Sequence, residues 1–166
     1  MSQTQSGLVV KEQSGFFWVE LEQGDIVVCR LRGRLMEEAH SSDIAAIGDR
    51  VEISLHEDGT GTIEAVEERR SMLSRAVRTE GSRGAGSPER EQVIVANADQ
   101  ALFVFAAAQP EPSFRMLDRF LVTGEKAEIE QLVIVVNKID LDEDGSVRAQ
   151  FKIYEDIGYT VLYTSA

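Results

Sequence analysis

The chain is poor in the residues that staple a polypeptide or anchor it in a bilayer. One of its 166 residues is a cysteine, so no intramolecular disulfide and no thiolate metal cluster can form. Cys29 stands in the run VVCRL, where a thiol is expected to pack as a small apolar group on a strand. No apolar run approaches the ~20 residues that cross a membrane, and the opening MSQTQSG lacks the basic-then-apolar pattern of a secretion signal. His40 and His56 have no Cys or carboxylate at metal-ligand spacing, so no metal site is expected. Basic residues are also scarce, 17 against 29 acidic, and the net charge of −12 argues against indiscriminate nucleic-acid binding. What remains is 43% hydrophobic and 28% charged, the composition of a globular chain, and a cytoplasmic location is expected.

The charge is unevenly spread. Residues 1–68 carry 5 basic and 14 acidic side chains, net −9, and residues 91–166 carry 6 and 13, net −7. Between them residues 69–90 hold 6 arginines and 2 glutamates, net +4.

Residues 7–68 alternate apolar and polar side chains in short stretches broken near Gly15 and Gly24, with His56-Glu57-Asp58-Gly59 set as a hairpin turn between Val51–Leu55 and Thr60–Val66. Five strands in about sixty residues fit a closed barrel of the OB type, and an SH3-like barrel fits the same pattern. This gives a first domain over 1–70. Residues 71–91, with GSRGAGSPER, read as an Arg/Gly-rich connector. From residue 92 the pattern changes. ALFVFAAA at 101–108 reads as a strand buried on both faces, stopped by Pro110 and Pro112. Ser113 is placed to cap a helix on which Phe114, Leu117, Leu121 and Val122 repeat at helical spacing. Leu132–Val136 reads as a second strand, Gly145–Ile157 as a helix stopped by Gly158, and Tyr159–Tyr163 as a third strand. That order predicts a parallel sheet with right-handed crossovers, a partial α/β domain over 92–166.

The residues that carry chemistry are Asn137, Lys138, Ile139 and Asp140, directly after the strand LVIVV, at the end where open α/β sheets bind ligands. Asn-Lys-x-Asp suits guanine. The base presents two adjacent donors, N1–H and the 2-amino group, and one carboxylate accepts both. Adenine has an acceptor at N1, and the carboxylate of Asp140 would be left partly unpaired against it. Thr164-Ser165-Ala166 comes after the next strand, where a Ser-Ala pair offers a backbone N–H to guanine O6. The chain holds no G-x-x-x-x-G-K-[ST] phosphate loop: Gly81 and Gly86 have the glycine spacing, but Ser87 and Pro88 come next.

The chain resembles the circularly permuted, ribosome-small-subunit-dependent GTPases, the RsgA family, also called YjeQ or EngC. The resemblance rests on Ile47-Gly48-Asp49-Arg50-Val51, on Gly61-Thr62-Ile63 through Arg69 with Leu73-Ser74-Arg75, and on Gln92 through Gln100 (QVIVANADQ). It continues in Pro110 with Leu117-Asp118-Arg119-Phe120-Leu121-Val122, in Asn137 through Leu141, and in Gly158-Tyr159. It implies an OB barrel followed by a permuted P-loop GTPase-like domain, GTP or GDP as ligand, and the small ribosomal subunit and its rRNA as partners. Asn137, Lys138 and Asp140 would read guanine, and Ser165 with Ala166 would close over it. The phosphate loop, the Mg2+-binding machinery and the Zn2+ ligands of the family would lie after Ala166, so these residues hold no catalytic group and no metal ligand.

Contact with rRNA is expected of arginines. Arg30, Arg32 and Arg34 alternate on one strand and would share a face. Arg69, Arg70, Arg75 and Arg78 are further phosphate-contact candidates. Phe16, Phe17 and Trp18 are expected to fill the barrel. Three classes of function stay open on the residues alone: a GTPase carrying only its guanine-specificity half, a non-catalytic OB module that binds RNA or the ribosome with an inactive α/β appendage, and an adapter binding protein through both halves.

Overall fold

The computed structural model describes residues 4–33, 35, 44–77 and 90–165. The chain divides into two compact units, Met1–Ala98 and Asp99–Ala166.

The first unit is built on a closed barrel of β1 (Thr4–Gln13), β2 (Phe16–Leu21), β3 (Ile26–Leu31), β4 (Arg50–Leu55) and β5 (Gly61–Val66), in the order β1-β2-β3-β5-β4. The antiparallel pairing of β1 with β4 closes it, and β3 lies parallel to β5. That Greek-key order decides between the two barrels left open by the sequence in favour of the OB type. Alternation works as read: Val9, Phe17, Val19, Val27, Cys29, Val51, Ile53 and Ile63 all point inward and are buried. Each such side chain contributes roughly 1.5–3 kcal/mol on burial. Phe17 alone of the three aromatics on β2 takes a core position; Phe16 and Trp18 are half-buried on the outer face, because successive strand residues alternate sides.

The connector read over 71–91 is in part a strand. β6 (Met72–Val77) pairs antiparallel with β7 (Arg90–Ala96), Met72 opposite Ala96. Its six residues, MLSRAV, do not alternate apolar and polar side chains, so the strand carries no period-two signal. The compact unit therefore runs to Ala98 rather than stopping near residue 70. Its closing residues are tied to the barrel by backbone and amide bonds: Ala96 N donates to Ile47 O at 2.8 Å, Asn97 Nδ2 to Gly48 O at 3.0 Å, and Arg70 N to Asn97 Oδ1 at 2.7 Å. Gly48, at φ +91°, lies so close to Ala96 that a Cβ would stand 2.0 Å from its carbonyl oxygen.

The second unit is a three-stranded parallel sheet ordered β10 (Thr160–Tyr163), β9 (Gln131–Asn137), β8 (Gln100–Ala106), with α1 (Phe114–Lys126) and α2 (Ser146–Asp156) as crossovers. Ser113 occupies the cap position of α1, but its side chain makes no capping bond. Gly158, at φ +105°, ends α2: its N–H reaches Glu155 O, and the N–H of Tyr159 reaches Tyr154 O. The strands run across the sheet in one direction, so right-handed crossovers put both helices on one face. There Leu117, Leu121, Phe151 and Tyr154 pack on Phe103, Phe105, Ile134, Val136 and Val161. β8 is consequently buried on one face, not two: Leu102 and Val104 are 55% and 62% exposed. Val122, read as part of the helix's apolar stripe, also faces outward, at 65%.

Candidate functional site

Asn137 ends the central strand of the second unit, and the chain then enters a tight loop. Lys138 takes the left-handed conformation (φ 58°, ψ 38°), and Ile139–Leu141 form a single 3-10 turn. A left-handed lysine costs about 1–2 kcal/mol, and its surroundings hold it there. Its Nζ donates to Gln109 O at 2.7 Å, and Leu141 N donates to its carbonyl at 3.0 Å. Ile139 N donates to Thr164 O at 3.1 Å and Thr164 N to Val136 O at 2.9 Å, so the parallel ladder continues past the strands into both loops.

That ladder sets Asn137, Asp140, Thr164 and Ser165 side by side. Asp140 Oδ1 accepts the Ser165 hydroxyl at 2.5 Å, and Asn137 Oδ1 accepts the Thr164 hydroxyl at 3.1 Å. Asp140 is exposed, and its Oδ2 has no partner among the described residues. A carboxylate offers about four lone-pair positions, so a Ser165 bond and two guanine donors can be held together. Ala166 lies outside the described residues.

Four residues of this loop cluster escaped the sequence reading. Gln109, after β8, supplies the carbonyl that holds Lys138. Asp142 caps α2 from outside, accepting Val147 N and Arg148 N at 3.0 Å each; an acid shortly before a helix was the available signal. Asp144 reinforces the cap through Ser146, whose side chain and backbone N–H hold the Asp144 carboxyl below the usual carboxylate range. Arg148, at the start of α2, lies over the Tyr163 ring at 4.0 Å, just before Thr164.

The arginines of the first unit separate into different roles. Arg30 is exposed and stacks on Phe16, its Cζ 4.4 Å from the ring centre. Arg32 lies just past the end of β3 and is ion-paired with Glu64. The Ser54 hydroxyl, then Arg32, hold the Glu64 carboxyl below its ordinary range. Arg69 is committed to the fold: Nε and Nη2 each donate to Asp49 at 2.8 Å, and Asp49 is fully buried. Arg75 donates twice to Gln92 across the β6–β7 pair. Arg70 is exposed and its backbone N–H is taken by Asn97. Arg34 and Arg78 lie outside the described residues. Cys29 is buried, and desolvation pushes its thiol up to about 11, as expected of a packed, inert cysteine.

A sequence profile described as RsgA GTPase matches residues 66–166, and one described as RsgA N-terminal domain matches 6–63. The chain belongs to the RsgA family. Among its relatives, the "Small ribosomal subunit biogenesis GTPase RsgA" of Chlorobaculum parvum is 38% identical over all of this chain and 53% of its own length. The protein of the same name from Gemmatimonas aurantiaca is 40% identical over 99% of this chain and 52% of its own. Two solved structures superpose at 32% identity. They are YjeQ from Thermotoga maritima (TM-score 0.73, 98% of this chain and 52% of that one) and YloQ, "a circularly permuted GTPase" (0.71, 99% and 52%). This RsgA-family chain spans about half the length of the curated relatives it matches. Among the described residues no group of three or more His, Cys, Asp or Glu is arranged to hold a metal ion, and no helix is long and apolar enough to cross a membrane.

Proposed function

We infer that this chain is the guanine-reading portion of a GTPase whose GTP hydrolysis is coupled to late assembly of the small ribosomal subunit, with the barrel meeting rRNA, in the cytoplasm. The observation that carries the reading is the Asp140–Ser165 hydrogen bond at 2.5 Å. It joins motifs 25 residues apart at the carboxyl ends of two parallel strands, where a base can lie against the carboxylate. Asp140 accepts guanine N1–H and the 2-amino group. Lys138, held against Gln109, lays its stem along the base face. Asn137 and Thr164 brace the two loops, and Ser165 with Ala166 closes the site at O6.

The phosphates and Mg2+ need groups that these 166 residues do not include. The chain by itself therefore binds nucleotide weakly and hydrolyses none. The second reading, favoured by the closed OB-type barrel, is a non-catalytic module that binds RNA or the ribosome and carries an inactive α/β appendage.

The test is made on the polypeptide extended to its relatives' length. Xanthine carries a carbonyl where guanine carries the 2-amino group, so Asp140→Asn exchanges an acceptor for the donor that xanthine wants. GDP affinity should fall by about 30- to 150-fold, and xanthosine diphosphate should bind the variant better than GDP. Unchanged guanine preference in Asp140→Asn would sink the assignment. GTP hydrolysis indifferent to added small subunits would sink the coupling.

A further inference from the structure

We propose that the outer face of β1–β2–β3 is a stacking platform for two unpaired bases of single-stranded RNA, formed by Trp18 and Phe16 with Lys11 and Arg30 as their paired cations. The proposal rests on the reading of the barrel as the rRNA-contacting part and gives that contact its chemistry.

Phe17 supplies the aromatic that the core needs, yet β2 carries a ring on either side of it. Phe16 and Trp18 stand on the outer face, half-exposed, and each bears a cation: Arg30 Cζ lies 4.4 Å from the Phe16 centroid and Lys11 Nζ 4.3 Å from that of Trp18. Arg30 reaches its ring by ordinary alternation from β3. Lys11 does not. Val9 points inward, and two residues on an unbroken strand would point inward too. A bulge between Val9 and Lys11 resets the register so that Lys11 opposes Trp18 and shares its outward face. Bulges re-aim side chains in this way.

The charge setting points to a polyanion that also stacks. In a segment of net −9, Lys11 and Arg30 are in no ion pair among the described residues, whereas Arg32 is paired with Glu64. Each cation can swing from its ring to a phosphate as a base takes its place on the ring. Aromatic stacking with a neighbouring cation is how OB barrels hold single strands without reading sequence, on the face of strands 2 and 3. The acidic remainder disfavours a duplex, whose dense charge needs a broad basic surface.

Trp18 is the sole tryptophan of the chain, so it reports its own occupancy. The 166-residue chain is titrated with an oligoadenylate of about eight nucleotides, within the usual OB footprint, with an RNA duplex, with inorganic polyphosphate and with a proline-rich peptide. Binding is followed by anisotropy of a labelled strand and stacking by Trp18 fluorescence. The oligoadenylate should quench Trp18, and the other three should not. Phe16→Leu and Trp18→Leu should each weaken binding by roughly 5- to 150-fold. Arg30→Gln and Lys11→Gln, which alter exposed side chains only, should each lower the salt slope by about one.

Quenching by polyphosphate as strong as by RNA overturns the platform, as does quenching by the peptide alone or no binding of the oligoadenylate. RNA binding without quenching also overturns it, while leaving an rRNA contact elsewhere on the barrel. Failure of the relatives'-length protein to co-sediment with small subunits is the separate result that removes the rRNA reading itself.

Discussion

The Asp49–Arg69 pair should account for a large share of the stability of the first unit. Asp49 is fully buried and accepts three bonds: Arg69 Nε and Nη2 at 2.8 Å each and Ala46 N at 2.7 Å. Breaking a buried pair costs about 3–5 kcal/mol, and orphaning the buried amide of Ala46 adds about 1–3 kcal/mol. Against that, the Arg69 side chain is 19% exposed and regains some hydration when its partner goes. Asp49→Ala should therefore cost about 4 kcal/mol, a large part of the roughly 5–15 kcal/mol that holds a typical domain together. Arg69→Ala should cost as much, because it strands a buried carboxylate. The double variant should lose about 2 kcal/mol less than the two singles added. Urea unfolding read by Trp18 fluorescence isolates this unit, since the second unit has no tryptophan. With a slope of about 1–2 kcal/mol per molar, the Asp49→Ala midpoint should drop by roughly 2–4 M. A loss under about 1 kcal/mol, or strictly additive singles, would refute the view that this pair locks the barrel to its exit.

Three further outcomes are expected. Cys29, with its thiol raised to about 11 and fully buried, should resist alkylation at pH 8. Only about one thiol in a thousand is then ionised, so labelling should track urea unfolding; rapid labelling of the folded chain would contradict its burial. Asp142→Ala removes two bonds from the start of α2 and should destabilise the second unit by about 1–2 kcal/mol, seen as loss of helical circular dichroism at lower urea. Ser165→Ala, in the relatives'-length protein, frees the Asp140 carboxylate and should weaken GDP binding by about 5- to 10-fold, and undiminished affinity would mean the hydroxyl is a bystander.

The elements that sequence revealed well are those with one buried face and a clear stop. Val51–Leu55 and Thr60–Val66 around the His56–Gly59 turn lie within a residue of β4 and β5, and Gly158 ends α2 because its left-handed backbone lets the final carbonyls be capped. The second face of the α/β sheet was misread for a topological reason. An apolar run such as ALFVFAAA does not reveal which side its helices take; strand order decides that, and it left Leu102 and Val104 uncovered. β6 was missed because ladder bonds carry no side-chain signature. Asn137, Lys138, Asp140 and Ser165 could be singled out because Asn-Lys-x-Asp is a recognisable pattern of residue types, and the fold joins Asp140 to Ser165. Gln109 was not, since it acts through a carbonyl that every residue has. Arg69 resembled a surface arginine, because its partner lies 20 residues away and only folding brings them together.

Gly48 restricts how far the sequence can drift. Most tight packing can be negotiated over generations: one side chain grows, its neighbour shrinks. At position 48 the obstacle is the Ala96 carbonyl, 2.0 Å from where a Cβ would stand, and no replacement at position 96 removes a backbone atom. The φ of +91° closes the same route independently. Glycine at this turn therefore has no compensated alternative, and one residue guards a junction closed almost fifty residues further along the chain.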